Sequence, residues 1–146
     1  MKKFSWIIII VLALIAGFIP FTYLIWDQSE GFMQLKSEAL LKSIAWNIGF
    51  YFHILSGTVA ISTGWIQFNK KVLNKRAQLH RAIGKLYVLS ALISSMAAIF
   101  IGFYAYGGWV ARTGFIIIAF IFFYSTLKGF MFIKQKKFIE HKQAMT

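Results

Sequence analysis

Four stretches of this chain carry almost no charge, and no other feature restricts its fold as strongly. Residues 4–26, 43–69 and 86–111 contain no Asp, Glu, Lys or Arg, and residues 113–133 contain only Lys128. As a helix rising about 1.5 Å per residue, each can cross a hydrocarbon layer of about 30 Å. A helix is also the one open-chain form that satisfies its own backbone N–H and C=O groups where there is no water. The reading is all-α: a single transmembrane domain, residues 1–146, in which four transmembrane helices at approximately 4–26, 43–69, 86–111 and 113–133 form an integral membrane bundle. A soluble domain carries roughly a quarter charged residues. Here the figure is 14%, gathered between the apolar stretches, so a soluble enzyme and a disordered tail are both excluded. The chain has no cysteine, which removes disulfides, thiolate metal sites and a cysteine nucleophile.

The first stretch also has the outline of a signal peptide, with Lys2 and Lys3 ahead of an apolar run from Trp6 to Gly17. A small-x-small cleavage site is missing and the run continues to Ile25, so a retained anchor is expected. Pro20 should kink this helix or mark its outer end, because proline has no N–H to contribute. Basic residues set the orientation. The N-terminus, the connection 70–85 and the C-terminal tail hold 12 Lys and Arg; the opposite side holds three, Lys36, Lys42 and Arg112. Positive charge stays with the cytoplasm, so both termini are expected there, in a multi-pass protein of the bacterial inner (cytoplasmic) membrane. The same rule accounts for the basic cluster Lys70 to Lys85 without a nucleic-acid partner; the lipid bilayer is the expected one. Trp26, Trp46, Trp65 and Trp109 fall near the ends of the stretches, where an interfacial belt would place them. The first connection, Asp27 to Lys42, sets Phe32, Leu35, Ala39 and Leu40 among polar residues, as an interfacial helix or an ordinary solvated loop would.

His53 is the one ionisable group well inside a stretch. At 100° per residue it shares a helix face with Trp46, Gly49, Gly57, Ala60, Gly64 and Gln67. Small residues let a neighbouring backbone approach, and equally leave room for a flat cofactor beside a ligating histidine. His53 is thus open to three roles: an interhelical hydrogen bond, an axial haem ligand, or a proton or quinone site. The third stretch offers a matching face of His80, Gly84, Tyr87, Ala91, Ser95, Ala98 and Gly102. His80 and His141 both fall at the cytoplasmic end, as a bis-histidine haem would require and as hydrogen-bonding interfacial histidines would also do. Gly57, Gly64, Gly84 and Gly102 are read as packing positions, with Gly57 and Gly64 turned toward Ala91 and Ala98. No catalytic residue is assigned: there is no phosphate loop, no intramembrane carboxylate pair and no set of Ser, His and Asp that the topology would unite.

The segment from His53 to His141 resembles an uncharacterised bacterial membrane-protein family, domain of unknown function 2306. The resemblance rests on His53 with Gly57, Gly64 and Gln67, on Leu79-His80-Arg81 with Gly84 and Tyr87, and on His141 after the fourth stretch. It covers about two-thirds of the chain, and the LHRxxGxxY block is its most specific part. Where an HRxWM-like ending leading into further apolar helix is expected, this chain reads His141-Lys142-Gln143-Ala144-Met145. The resemblance implies an integral membrane protein with recurring histidines and a cofactor or proton-linked role. Two functional readings follow. The first is a small non-catalytic membrane subunit or scaffold associating with a larger membrane complex. The second is a b-type cytochrome-like electron carrier, with haem b on His80 and His141 and with His53 toward the outer side.

Overall fold

The computed structural model describes residues 3–25 and 31–145, all of whose regular structure is helical. In chain order come α1 (Lys3–Ile25), a 3-10 turn (Gly31–Leu35), α2 (Glu38–Leu41), α3 (Ile44–Gln67), α4 (Lys70–Lys75), α5 (Ala77–Gly102), α6 (Gly108–Lys134) and α7 (Phe138–Met145). Four of these, α1, α3, α5 and α6, are long and apolar enough to cross a membrane. The chain is thus an all-helical bundle with four candidate spans. The most extensive interface joins α3 to α5; α6 packs on α5, α1 on α3, and the short α7 folds back on α6.

Local chemistry sets the boundaries. Ser43 caps α3, its hydroxyl accepting from the Trp46 N–H, and Asn69 caps α4 by accepting from the Lys71 N–H. Arg76, at φ −136° and ψ 54°, breaks the helical path between α4 and α5. Between α5 and α6 the backbone turns through Gly107 at φ 105° and Gly108 at φ 75°, a left-handed conformation that a side chain would strain. The third helix is therefore offset from the uncharged stretch 86–111 by nine residues: it begins inside the basic connection and ends where the glycine turn needs room. Pro20 lies inside α1, which runs on to Ile25.

One expectation about the end that carries the α5–α6 turn is corrected. The described part of the first connection holds a 3-10 turn and the short α2, with most residues exposed, while Met33, 2% exposed, packs with Trp46, Phe50 and Ile54. Trp46, expected in an interfacial belt, is also 2% exposed; its indole stacks on Phe50 at 5.1 Å between centroids, with Tyr23 of α1 edge-on to the same ring. An aromatic offers more contact area to a partner helix than to headgroups, and here the connection supplies a lid over it. Trp109 stays on the outside, under the Arg112 guanidinium. Trp26, Asp27 and the side chain of Phe32 lie outside the described residues.

Candidate functional site

The α3–α5 interface is antiparallel and its register can be read from the glycines. A Cβ on Gly49 would strike Phe100, on Gly57 the Ser94 hydroxyl at 3.1 Å, on Gly64 the Tyr87 ring at 3.1 Å; a Cβ on Gly84 would meet the Gln67 Oε1 at 3.1 Å. Each step of one turn along α3 is answered by one turn back along α5. Gly57 and Gly64 therefore face Ser94 and Tyr87, rather than Ala91 and Ala98 as the helical-face argument predicts. That argument fixes which side of each helix is small but not the axial stagger. Gly102 serves the α5–α6 contact, where an added Cβ would come within 2.9 Å of Ile116.

His53 lies in the middle of this interface. Its Nδ1 is 3.0 Å from the Ser94 carbonyl, and a carbonyl can only accept, so the network assigns the ring proton to Nδ1. The Ser94 hydroxyl, 3.1 Å from the same nitrogen, donates to the His53 carbonyl at 3.0 Å. This closes a reciprocal link between one residue of α3 and one of α5. Two further polar groups of the interface turn inward on their own helices: Thr58 donates to the Ile54 carbonyl and Ser95 to that of Ala91. Each replaces a water that the membrane lacks.

His80 and His141 are at the end of the bundle that holds α4 and α7. His141, on α7, is 2.8 Å through Nδ1 from the Gly129 carbonyl of α6, so in the neutral ring its Nε2 is the lone-pair nitrogen. His80, in the first turn of α5, lies within electrostatic range of both His141 and Arg81. Its Nδ1 is buried with no hydrogen-bond partner among the described residues. Gln67 Nε2, at the end of α3, is in the same condition. His53 belongs to a different layer, held to Ser94, so the structure brings His80 and His141 together without it. No group of three or more His, Asp or Glu converges among the described residues.

The space beside these histidines is decisive for what can bind. A planar macrocycle needs a slot next to its ligand. At Gly64 that slot holds the Tyr87 ring, at Gly84 the Gln67 carboxamide, and at Gly129 the Met145 thioether, which the missing Cβ would overlap. The glycines buy helix approach, and the chain's own side chains fill what they leave open. Sequence reasoning missed Met145 and α7 altogether, because an eight-residue segment of mixed polarity after Lys137 gives no hydropathy signal; the one cue was the apolar pair Phe138 and Ile139 ahead of His141.

Comparison with known proteins adds one match. Residues 50–146 match a family described as predicted membrane protein (DUF2306). No curated protein and no solved structure matches.

Proposed function

The chain belongs to the DUF2306 family of predicted membrane proteins, and from that premise we propose that it is a small non-catalytic subunit or scaffold of a larger complex in the bacterial inner membrane, with both termini cytoplasmic. The observation that carries this reading is how the intramembrane polar groups are used. His53 is committed to Ser94, Thr58 and Ser95 to backbone carbonyls, and the glycine clearances to Tyr87, Gln67 and Met145. The surface left over is apolar: Phe115, Ile118 and Ile121 of α6 and Leu12 and Ile15 of α1 all point away from the bundle. Lipid covers such a face, and so does another membrane subunit. A photoreactive residue at Ile118, activated in native membranes, should give one discrete crosslinked product that is lost when the probe is moved to Ile139 on α7. A ladder of unspecific products, together with migration as a monomer after mild detergent extraction, would overturn the subunit reading.

A second reading is supported by one specific arrangement: His141 turns a lone-pair nitrogen away from Gly129, and His80 is in its electrostatic range. Two imidazoles on neighbouring helices are the ligand set of a b-type haem. Against it, the clearances at Gly64, Gly84 and Gly129 are occupied by Tyr87, Gln67 and Met145. The discriminating measurement is the absorption spectrum of protein expressed with added haem, oxidised and dithionite-reduced. A colourless preparation is expected. A sharp reduced α-band that His80→Ala abolishes would replace the subunit reading with the cytochrome one.

A further inference from the structure

α6 carries an ammonium on the face it turns away from the bundle. Tyr124, Leu127, Lys128, Met131, Phe132 and Gln135 line a groove of about 270 Å³ along the last turns of this helix. Their spacing of three and four residues puts them on one face, and at 100° per residue Lys128 stands about 160° from Thr126, which is buried. Tyr124 and Met131 are half exposed. Lys128 Nζ lies 5.3 Å from the Tyr124 ring centroid and 5.7 Å from that of Phe132. The ammonium is thus held between the ring one turn before it and the ring one turn after it, both of them walls of the groove.

The rings are its only partners among the described residues, where Lys128 makes no hydrogen bond and no ion pair. A ring face attracts a cation but does not cancel its charge or offer the lone pairs that its three N–H donors require. No described carboxylate lines the groove: Glu38 pairs with Lys42 at 3.3 Å, and Glu140 is exposed on α7. Lys128 precedes the end of α6 at Lys134 by about 9 Å of helix. In a span of this length the charge therefore lies just beneath the headgroups, where it needs an anion that the chain does not supply.

We propose that the groove holds one anionic phospholipid, its phosphate on Lys128 and an acyl chain along Leu127 and Met131. Charge complementarity names the headgroup. A phosphate accepts from the ammonium and neutralises it, while Lys134, Lys136 and Lys137 extend the positive field and repel the amine of a zwitterionic lipid. The apolar wall names the rest of the molecule, because it fits a chain tethered to the phosphate and offers nothing to a free phosphate ion. The site lies beyond Ile121 along α6, so it stands whether or not a subunit covers Ile118.

The test is native mass spectrometry of the full chain released from detergent micelles. Phosphatidylglycerol or phosphatidylcholine with identical acyl chains is titrated in, and the lipid-bound fraction is read at each concentration. The unaltered chain should take one phosphatidylglycerol about fivefold more tightly than phosphatidylcholine, the effect of one basic residue near a membrane surface. Lys128→Gln should bring the two lipids level, Lys128→Arg should keep most of the preference, and Lys75→Gln, at an exposed lysine of α4, should leave it unchanged. Inorganic phosphate in excess should not displace the lipid. Equal affinities in the unaltered chain, a preference that survives Lys128→Gln, an equal loss in Lys75→Gln, or displacement by inorganic phosphate would each overturn the proposal. The comparison of lipids on the unaltered chain does not depend on any variant folding.

Discussion

Gly57→Leu tests the central interface. A Cβ at this position would sit 3.1 Å from the Ser94 hydroxyl, already tighter than ordinary contact, and the remaining three carbons of leucine would enter the space now used by the His53–Ser94 link. Overpacking a tight contact costs about 1–3 kcal/mol. Losing an interhelical hydrogen bond in a membrane adds about 0.6–1.7 kcal/mol. Together they predict about 2–5 kcal/mol, a fall of roughly 30- to 4,000-fold in the ratio of folded to unfolded protein. Gly114→Leu is the matched control. It makes the same chemical change, with the same gain in helix propensity, at a glycine with nothing within 4 Å of the new Cβ. The assay is reversible unfolding in mixed micelles of rising dodecyl sulfate content, followed by tryptophan fluorescence. The two variants should separate by the stated amount. Midpoints that coincide within about 0.5 kcal/mol, the scatter expected of unrelated surface changes, would refute the packing register.

The His53–Ser94 link should show as a coupling energy of about 0.6 kcal/mol, and at most about 1.7, in a double-mutant cycle of His53→Phe and Ser94→Ala; a coupling of zero would mean the two residues act apart. Topology can be read by cysteine labelling, since the chain has no cysteine of its own: Asn74→Cys and Thr146→Cys should react only from the cytoplasm and Gln34→Cys only from outside, and any exchange of sides reverses the orientation. Through burial first and the Arg112 charge second, the Lys36 ammonium binds its proton less tightly in the fold than in the unfolded chain, so between its lowered pKa and 10.5 the unfolded state holds more protons and stability rises with pH. Lys36→Gln should flatten that alkaline slope in a thermal-melt series, and an unchanged slope would assign it elsewhere.

The four spans were legible because lipid permits only one backbone solution and because length and charge report it directly. The small-residue faces were legible for the same reason, as was the choice of His53 as the polar group to be explained. What the sequence did not carry was distance along the helices. A face argument is periodic, so it places Gly57 toward α5 without telling Ser94 from Ala91. Trp46 was read as an interfacial anchor because it stands at the start of a stretch; its burial depends on Met33, which returns from a connection that has no periodic signal. The approach of Lys36 to Arg112 is hidden for a similar reason. The two cations are 76 positions apart in the chain, and only the left-handed turn at Gly107 and Gly108 brings them together.

The link between His53 and Ser94 has a consequence for how the protein is made. Ser94 follows His53 by 41 residues, so at about 5–20 residues per second its partner emerges roughly 2–8 seconds later. For that interval α3 carries an imidazole that hydrocarbon cannot satisfy. α1 has no such debt: among its described residues only Gly17 is buried, and it can stand in lipid as soon as it is synthesised. α1 can therefore enter the bilayer on its own, whereas the imidazole of α3 gains its partner only when α5 packs beside it, which favours insertion of the two helices as a hairpin.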